Sequence, residues 1–147
     1  MQKQLKENLN INVNFESLPN VQKYDLQMHG KSDIYRDAWV ADFPSPESFL
    51  SLFLGDCVPA DIEESSFPNT SRYQNSTYDE YFKKGRDSNN KDTSYSYFMK
   101  AEQVLMDDAV VIPLWYEGSY RLLTNNVKGL NLNAMRYYDL TKTYKVK

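Results

Sequence analysis

Residues 39–50, Trp-Val-Ala-Asp-Phe-Pro-Ser-Pro-Glu-Ser-Phe-Leu, join an extended run to the start of a helix and place one carboxylate at the joint. Ser45 is a natural N-cap. Pro46, at the first helical position, has no amide hydrogen to leave unpaired, and its φ is already helical. Phe49, Leu50 and Phe53 then give a short apolar stripe, which Gly55 can close in the left-handed region. Asp42 therefore stands just before a helix N-terminus, beside a bulky aromatic. A chain punctuated in this way alternates extended and helical backbone, so the expected class is α/β with mixed strands, neither all-α nor all-β.

The rest of the chain repeats the alternation. Met1, Leu5 and Leu9 recur every four residues and predict a short helix ending near Asn10. Ile11, Val13 and Phe15 alternate with polar residues, as in a half-buried strand. Val21 to Met28 reads as a short helix, Gly30-Lys31-Ser32 as a turn and Ile34 to Ala41 as a strand. Residues 56–75, with Pro59, Pro68 and several Ser and Asn, read as a surface loop, and a loop of that length is usually functional or mobile. Thr77-Tyr78-Asp79-Glu80 fits a capping box opening a helix to about Arg86. Asp92 or Thr93 caps a longer helix to about Met106, with Phe98, Ala101 and Leu105 on one face, flanked by Tyr97 and Val104. Ala109 to Tyr116 reads as a buried strand. Arg121 to Thr124 and Tyr137 to Val146 are further strand candidates, with turns at Asn125-Asn126 and Lys128-Gly129. There is no internal repeat.

Composition narrows the function. A chain of 147 residues suits one domain with a modest core, and 41% hydrophobic and 25% charged residues are ordinary for a globular protein. The net charge of −3 and the scattered Lys and Arg give no reason to expect nucleic acid. No apolar run approaches a membrane span, and Met1-Gln2-Lys3-Gln4-Leu5 lacks the apolar core of a signal peptide. Cys57 is alone, so no internal disulfide forms. His29 is the only histidine, which leaves no His-based triad or metal cluster; it is expected at the surface. Glu63-Glu64 and Asp107-Asp108 read as solvated charge. Asn69-Thr70-Ser71 and Asn75-Ser76-Thr77 match the glycosylation pattern by coincidence. No nucleophile–base pair and no phosphate-binding glycine loop are present, and no cofactor is expected. The abundance of Tyr, with 12 residues, suits a binding cleft and an ordinary β-rich surface equally.

The Trp39-Val40-Ala41-Asp42-Phe43-Pro44-Ser45-Pro46 stretch resembles the Trp-x-Ala-Asp-aromatic-x-x-Pro signature of the family 5 extracellular solute-binding proteins, the oligopeptide- and dipeptide-binding receptors of ABC importers. Four more segments occur in the same order. Leu5 to Val13 is similar to the family's helix and Gly-Ile-x-Val strand, and Tyr78-Asp79-Glu80-Tyr81 to its Tyr-Asp-x-hydrophobic helix start. Ala101-Glu102-Gln103-Val104-Leu105 with Val111-Ile112-Pro113-Leu114 is similar to its Ala-Glu-x-x-Leu … Ile-Pro-Leu segment, and Val127-Lys128-Gly129 to its Val-x-Gly turn. Only the C-terminal part of these longer proteins is matched.

The resemblance implies part of a two-lobed, class II periplasmic-binding-protein fold. Residues 1–35 would end the distal lobe, 36–44 would cross between lobes, and 45–147 would belong to the lobe shared with an N-terminal part. It implies an exported protein, periplasmic or extracellular and held as a lipoprotein. Its partners would be a short peptide, the membrane permease of the importer and the remaining lobes. Since the family is exported and no signal is visible, a fragment or processed chain is expected, carrying more exposed apolar surface than the few hundred Å² usual for a monomer. The same fold could instead serve a sugar, haem or a metal chelate, or form an accessory domain of a hydrolase.

In the peptide-binding members the motif Asp pairs with the ligand's α-amino group, and the resemblance carries that role to Asp42, where a charge-assisted hydrogen bond would form. The alternative is that Asp42 only stabilises the amides of the following helix. In a regular strand Arg36 and Asp42 face the same way, roughly 20 Å apart. Arg36 could take a peptide carboxylate in a bidentate fork, or be a solvated strand-end charge. Trp39 would lie against the ligand by resemblance, and in the core by the plainer reading. The main chain around Ala38 and Val40 could bond an extended peptide as an added strand.

Overall fold

The computed structural model describes residues 1–118, 120–133 and 135–146. Its centre is a helical hairpin whose starts the side chains dictate. Helix α4, Ser76–Arg86, opens on Asn75, whose carboxamide oxygen accepts the amides of Thr77 at 2.9 Å and Tyr78 at 3.2 Å. The cap is thus Asn75 and not Thr77, and Glu80 pairs one turn ahead with Lys84 instead of reaching back. Helix α5, Lys91–Asp107, opens on Asn90, which accepts the Thr93 amide at 2.9 Å, two positions before the expected Asp92 and three before Thr93. Asn is the better cap in both places because its short carboxamide reaches the second and third amides of the new helix.

The two helices bury one face each. Tyr78 and Phe82 of α4 pack on Phe98, Ala101 and Leu105 of α5, the face expected from spacing alone. The Phe82 and Phe98 rings lie 5.7 Å apart, tilted by 59°. Gly85 permits this approach: a Cβ there would stand 2.9 Å from two Phe98 ring carbons. The short helix α3, Glu47–Leu50, adds Leu50 to the cluster, and the buried Tyr78 hydroxyl donates to the Leu50 carbonyl. Two 3-10 turns follow, Ser51–Phe53 and Gly55–Cys57. Gly55 does not close α3 in the left-handed region. It begins the second turn, its amide donates to Asp79 Oδ1 at 3.0 Å, and a Cβ would collide with Asp79 Oδ2.

Residues 56–75 are irregular but not a mere surface loop. Ser66 and Asn69 within them are fully buried. Asn69 Nδ2 donates to the carbonyls of Leu54 and Tyr73, and its Oδ1 accepts the Ser71 hydroxyl at 2.8 Å. The Ser66 amide and the Arg72 guanidinium both donate to the Met28 carbonyl. The segment thereby ties helix α2, Asn20–Met28, to the α3–α5 core. Helix α1, Gln2–Leu9, ends at a left-handed Asn10 as expected and buries no residue.

The strand expectations fare differently. Residues 11–15, 34–41, 109–116 and 121–124 are non-helical but join no ladder. The ladders present are short: β1 Val127–Lys128 pairs antiparallel with β4 Tyr144–Lys145, and β2 Asn131–Leu132 with β3 Tyr138–Asp139. The run expected over Tyr137–Val146 is therefore two strands, split by a turn at 140–143. The segment expected to be a buried strand, 109–116, exposes Ile112, Leu114, Trp115 and Tyr116. The reason is common to all: a β-ladder takes its bonds from another strand, and these segments find none among the described residues.

Candidate ligand-binding segment

Residues 32–42 take part in no backbone–backbone hydrogen bond among the described residues. The stretch holding all five sequence-predicted site residues is thus an open main-chain edge. Asp42 is fixed at its C-terminal end by its own peptide groups. Its amide donates to Ser48 Oγ at 2.8 Å, and its carbonyl accepts the Tyr137 hydroxyl at 2.9 Å. Ser48, buried in the first turn of α3, returns a long 3.5 Å contact to the carboxylate. The residue itself is exposed, and its carboxylate takes part in no salt bridge among the described residues.

The helix-start alternative for Asp42 finds no support in these contacts. The Glu47 amide goes to Ser45 Oγ at 3.2 Å, the Ser48 amide to the Ser45 carbonyl and the Phe49 amide to that of Pro46. The Ser45 side chain thus serves the start of α3, and the contact of the Asp42 carboxylate with that helix among the described residues is the long one from Ser48 Oγ.

Arg36 also has no acidic partner among the described residues; its guanidinium lies 5.3 Å above the ring of Trp115. A cation over an indole face keeps its in-plane N–H fork open. Sequence reasoning missed Trp115, because the apolar run 109–116 was read as core, whereas Trp115 is 59% exposed. Trp39 is likewise no core residue: it is 40% exposed, and Val40 beside it 56%. Its plainer reading is corrected by the same lack of a covering layer. Ala38 is exposed and its amide turns to Asp37 Oδ1 at 2.9 Å. Ser48, Asp37 and Trp115 are the supporting residues that sequence did not single out. Only Ser48 carried a signal, as a hydroxyl in the first turn after the Ser45 cap.

The other candidates settle into structural roles. Asp108 is not free solvated charge: it accepts the Tyr73 hydroxyl at 2.6 Å and the Asn75 amide at 2.8 Å. The Tyr73 bond first and the Asn75 bond second hold its carboxyl below the usual range. Glu63 pairs with Lys31 at 3.4 Å. His29 is half-buried, its Nδ1 2.8 Å from the Asp25 carbonyl. Cys57 is a half-buried free thiol. Asn69 is sealed in the fold and the Asn75 carboxamide is engaged as a cap, so neither glycosylation match is an accessible acceptor. Among the described residues no group of three or more His, Cys, Asp or Glu could hold a metal, and no helix is long and apolar enough to cross a membrane.

No family model matches the chain. Individual relatives do. The chain is 32% identical over 127 residues to the periplasmic oligopeptide-binding protein OppA of Salmonella typhimurium, covering 84% of this chain and 21% of that protein. It is 26% identical over 128 residues to the periplasmic murein peptide-binding protein MppA of Escherichia coli, and 26% over 140 to the dipeptide-binding protein DppE of Bacillus subtilis. The chain spans about a fifth of the length of the curated relatives it matches. Among solved structures, the unliganded open form of the murein tripeptide-binding protein MppA superposes with a TM-score of 0.76 at 24% identity, over 99% of this chain and 27% of that one. The chain is homologous to the C-terminal part of the family 5 extracellular solute-binding proteins, and its α/β fold is a portion of their two-lobed architecture.

Proposed function

We propose that this chain forms part of the peptide-binding component of an ABC importer, with residues 36–42 as one wall of an inter-lobe cleft. Asp42 receives the peptide's ammonium group, and Arg36, braced on Trp115, receives the carboxylate at the other end. The peptide backbone pairs with the open edge around Ala38 and Val40, while Trp39 presents an apolar face. Backbone pairing with few side-chain contacts tolerates many peptide sequences. The protein performs no catalysis; ligand stabilises the closed form by binding it better than the open one. Residues 1–35 end the distal lobe, 36–44 cross between lobes, and 45–147 belong to the other lobe. The intact protein works outside the cytoplasmic membrane, anchored as a lipoprotein, and delivers peptide to a membrane permease.

The observation that carries this reading is the edge itself: among the described residues, a main chain without backbone–backbone bonds lies between two exposed, opposite charges that form no ion pair. Calorimetry on the intact receptor tests it with two proteins and two peptides. Asp42→Ala should weaken binding of a free peptide by about 2–5 kcal/mol, the cost of leaving a desolvated charge without its partner. N-acetylation of the peptide should cost a similar amount, and the two losses should not add, because both delete one interaction. Full additivity, or unchanged affinity for the acetylated peptide, removes Asp42 from the site. Preferential binding of a sugar, haem or metal chelate, indifferent to Asp42, gives the cleft to another solute.

A further inference from the structure

The open edge of residues 32–42 raises a physical question. An unpaired extended segment costs conformational entropy to hold in place, and a binding wall is useful only if it is held. Among the described residues the segment has no backbone–backbone bonds to hold it, so bonds that involve side chains must. Among the described residues, Asp37 is the charged side chain of 34–41 that bonds side chains of α2, and through Gln27 it is linked to Thr70 of the 56–75 segment. Its Oδ2 accepts Gln27 Nε2 at 2.7 Å, and its Oδ1 lies 3.3 Å from Lys23 Nζ and accepts the Ala38 amide at 2.9 Å. Gln27, only 4% exposed, also donates to Thr70 Oγ1 at 2.9 Å. Lys23 Nζ reaches the Arg36 carbonyl at 3.4 Å.

Two details show that this knot sets an orientation. The Gln27 Oε1 is buried with no partner, so the direction of the amide is decided by its Nε2 end, which the Asp37 carboxylate and Thr70 attract. Tyr35, two residues before Asp37, points the same way and donates from its hydroxyl to the Leu26 carbonyl of α2 at 2.8 Å. Arg36 between them reaches the ring of Trp115 instead. That is the alternation of an extended chain, with 35 and 37 on the α2 side and 36 away from it.

We infer that Asp37 is a positioning residue: it clamps residues 35–38 to α2, engaging the Ala38 amide as it does so, and leaves the main chain of residues 39–41 and the Arg36 side chain available to a peptide. The inference rests on the peptide-binding reading above. Nothing in it requires Asp37 to touch the ligand.

The test is calorimetry on the intact receptor, with an unblocked short peptide and its N-acetylated form, well below the melting temperature of each variant. Asp37→Ala should weaken both peptides by the same factor, roughly tenfold, about the worth of one to two hydrogen bonds. A uniform loss is the mark of a displaced wall, whereas loss of a direct contact to the ammonium would spare the acetylated peptide. Asp37→Asn, which still accepts from Gln27 and Lys23, should recover most of the affinity. If Asp37→Ala does not fold, Lys23→Met removes the exposed half of the knot and should weaken both peptides equally but less. A lowered melting temperature with unchanged affinity in these variants overturns the inference, as does a loss confined to one peptide. If the unsubstituted receptor binds no peptide at all, the functional reading fails first and the positioning role falls with it.

Discussion

The helical hairpin of residues 76–107 and the extended stretch of residues 32–42 solve the same problem in opposite ways. Both must satisfy a row of amides and carbonyls. In the hairpin each helix bonds its own backbone, Asn75 and Asn90 serve the first turns, and the apolar faces close on each other. In the extended stretch no backbone–backbone bond forms among the described residues, and the attachment comes from Tyr35 and Asp37 at one end and from Ser48 and Tyr137 holding Asp42 at the other. The first arrangement is self-contained. The second keeps hydrogen-bonding capacity in reserve, and the charged ends Arg36 and Asp42 lie within it. The lesson is that the self-contained core and the stretch with open main-chain groups are separated along this chain.

The contrast can be broken most forcefully by truncation. Phe82→Ala in the hairpin should cost about 3–5 kcal/mol in urea unfolding, the usual loss for a fully buried aromatic. Ile34→Ala, at a side chain 75% exposed, should stay within about 0.5 kcal/mol. Equal losses at the two sites would mean that the extended stretch is covered in solution.

Asn69→Ala probes the seam between the two regions. It strands the carbonyls of Leu54 and Tyr73 and the hydroxyl of Ser71, and should cost about 1–3 kcal/mol by the same measurement. A change near zero would show that residues 56–75 do not fasten α2 to the core.

Titration gives smaller, signed effects. Burial first, and the neighbouring Tyr73 second, push the Tyr78 phenol well above its ordinary value of 10.0. A raised folded value means that the contribution is complete below about pH 10 and is lost as pH climbs further, because the unfolded chain releases the proton first. Hairpin stability should therefore fall in alkali above about pH 10, and Tyr78→Phe should flatten that fall, as urea midpoints across the range would show. Asp108 runs the other way. Its depressed value gives a contribution present above the ordinary carboxylate range, about pH 4, and lost as pH falls through the folded value. Asp108→Asn should leave the acid limb of the same curve shallower; an unchanged acid limb would deny the Tyr73–Asp108 bond any part in stability.

Several features were legible in residues alone. The 3.6-residue spacing of Phe98, Ala101 and Leu105 gave the buried face of α5, and Met1, Leu5 and Leu9 gave α1. The Ser45-Pro46 punctuation located α3 to within a residue, and the motif around Asp42 pointed to the family. These signals are local: a helix's bonds, caps and faces lie within a few residues of one another in sequence. Tertiary structure decided the rest. Alternation of Ile11, Val13 and Phe15 or of residues 34–41 encodes a strand, but a strand exists only where another supplies its bonds, and none does so among the described residues. That Asn69 is buried, that Trp115 stands under Arg36, and that Gln27 and Lys23 converge on Asp37 while Gln27 also meets Thr70 are facts of chain crossing over 10 to 79 positions. No local periodicity carries them, because packing at that separation depends on where the whole backbone returns.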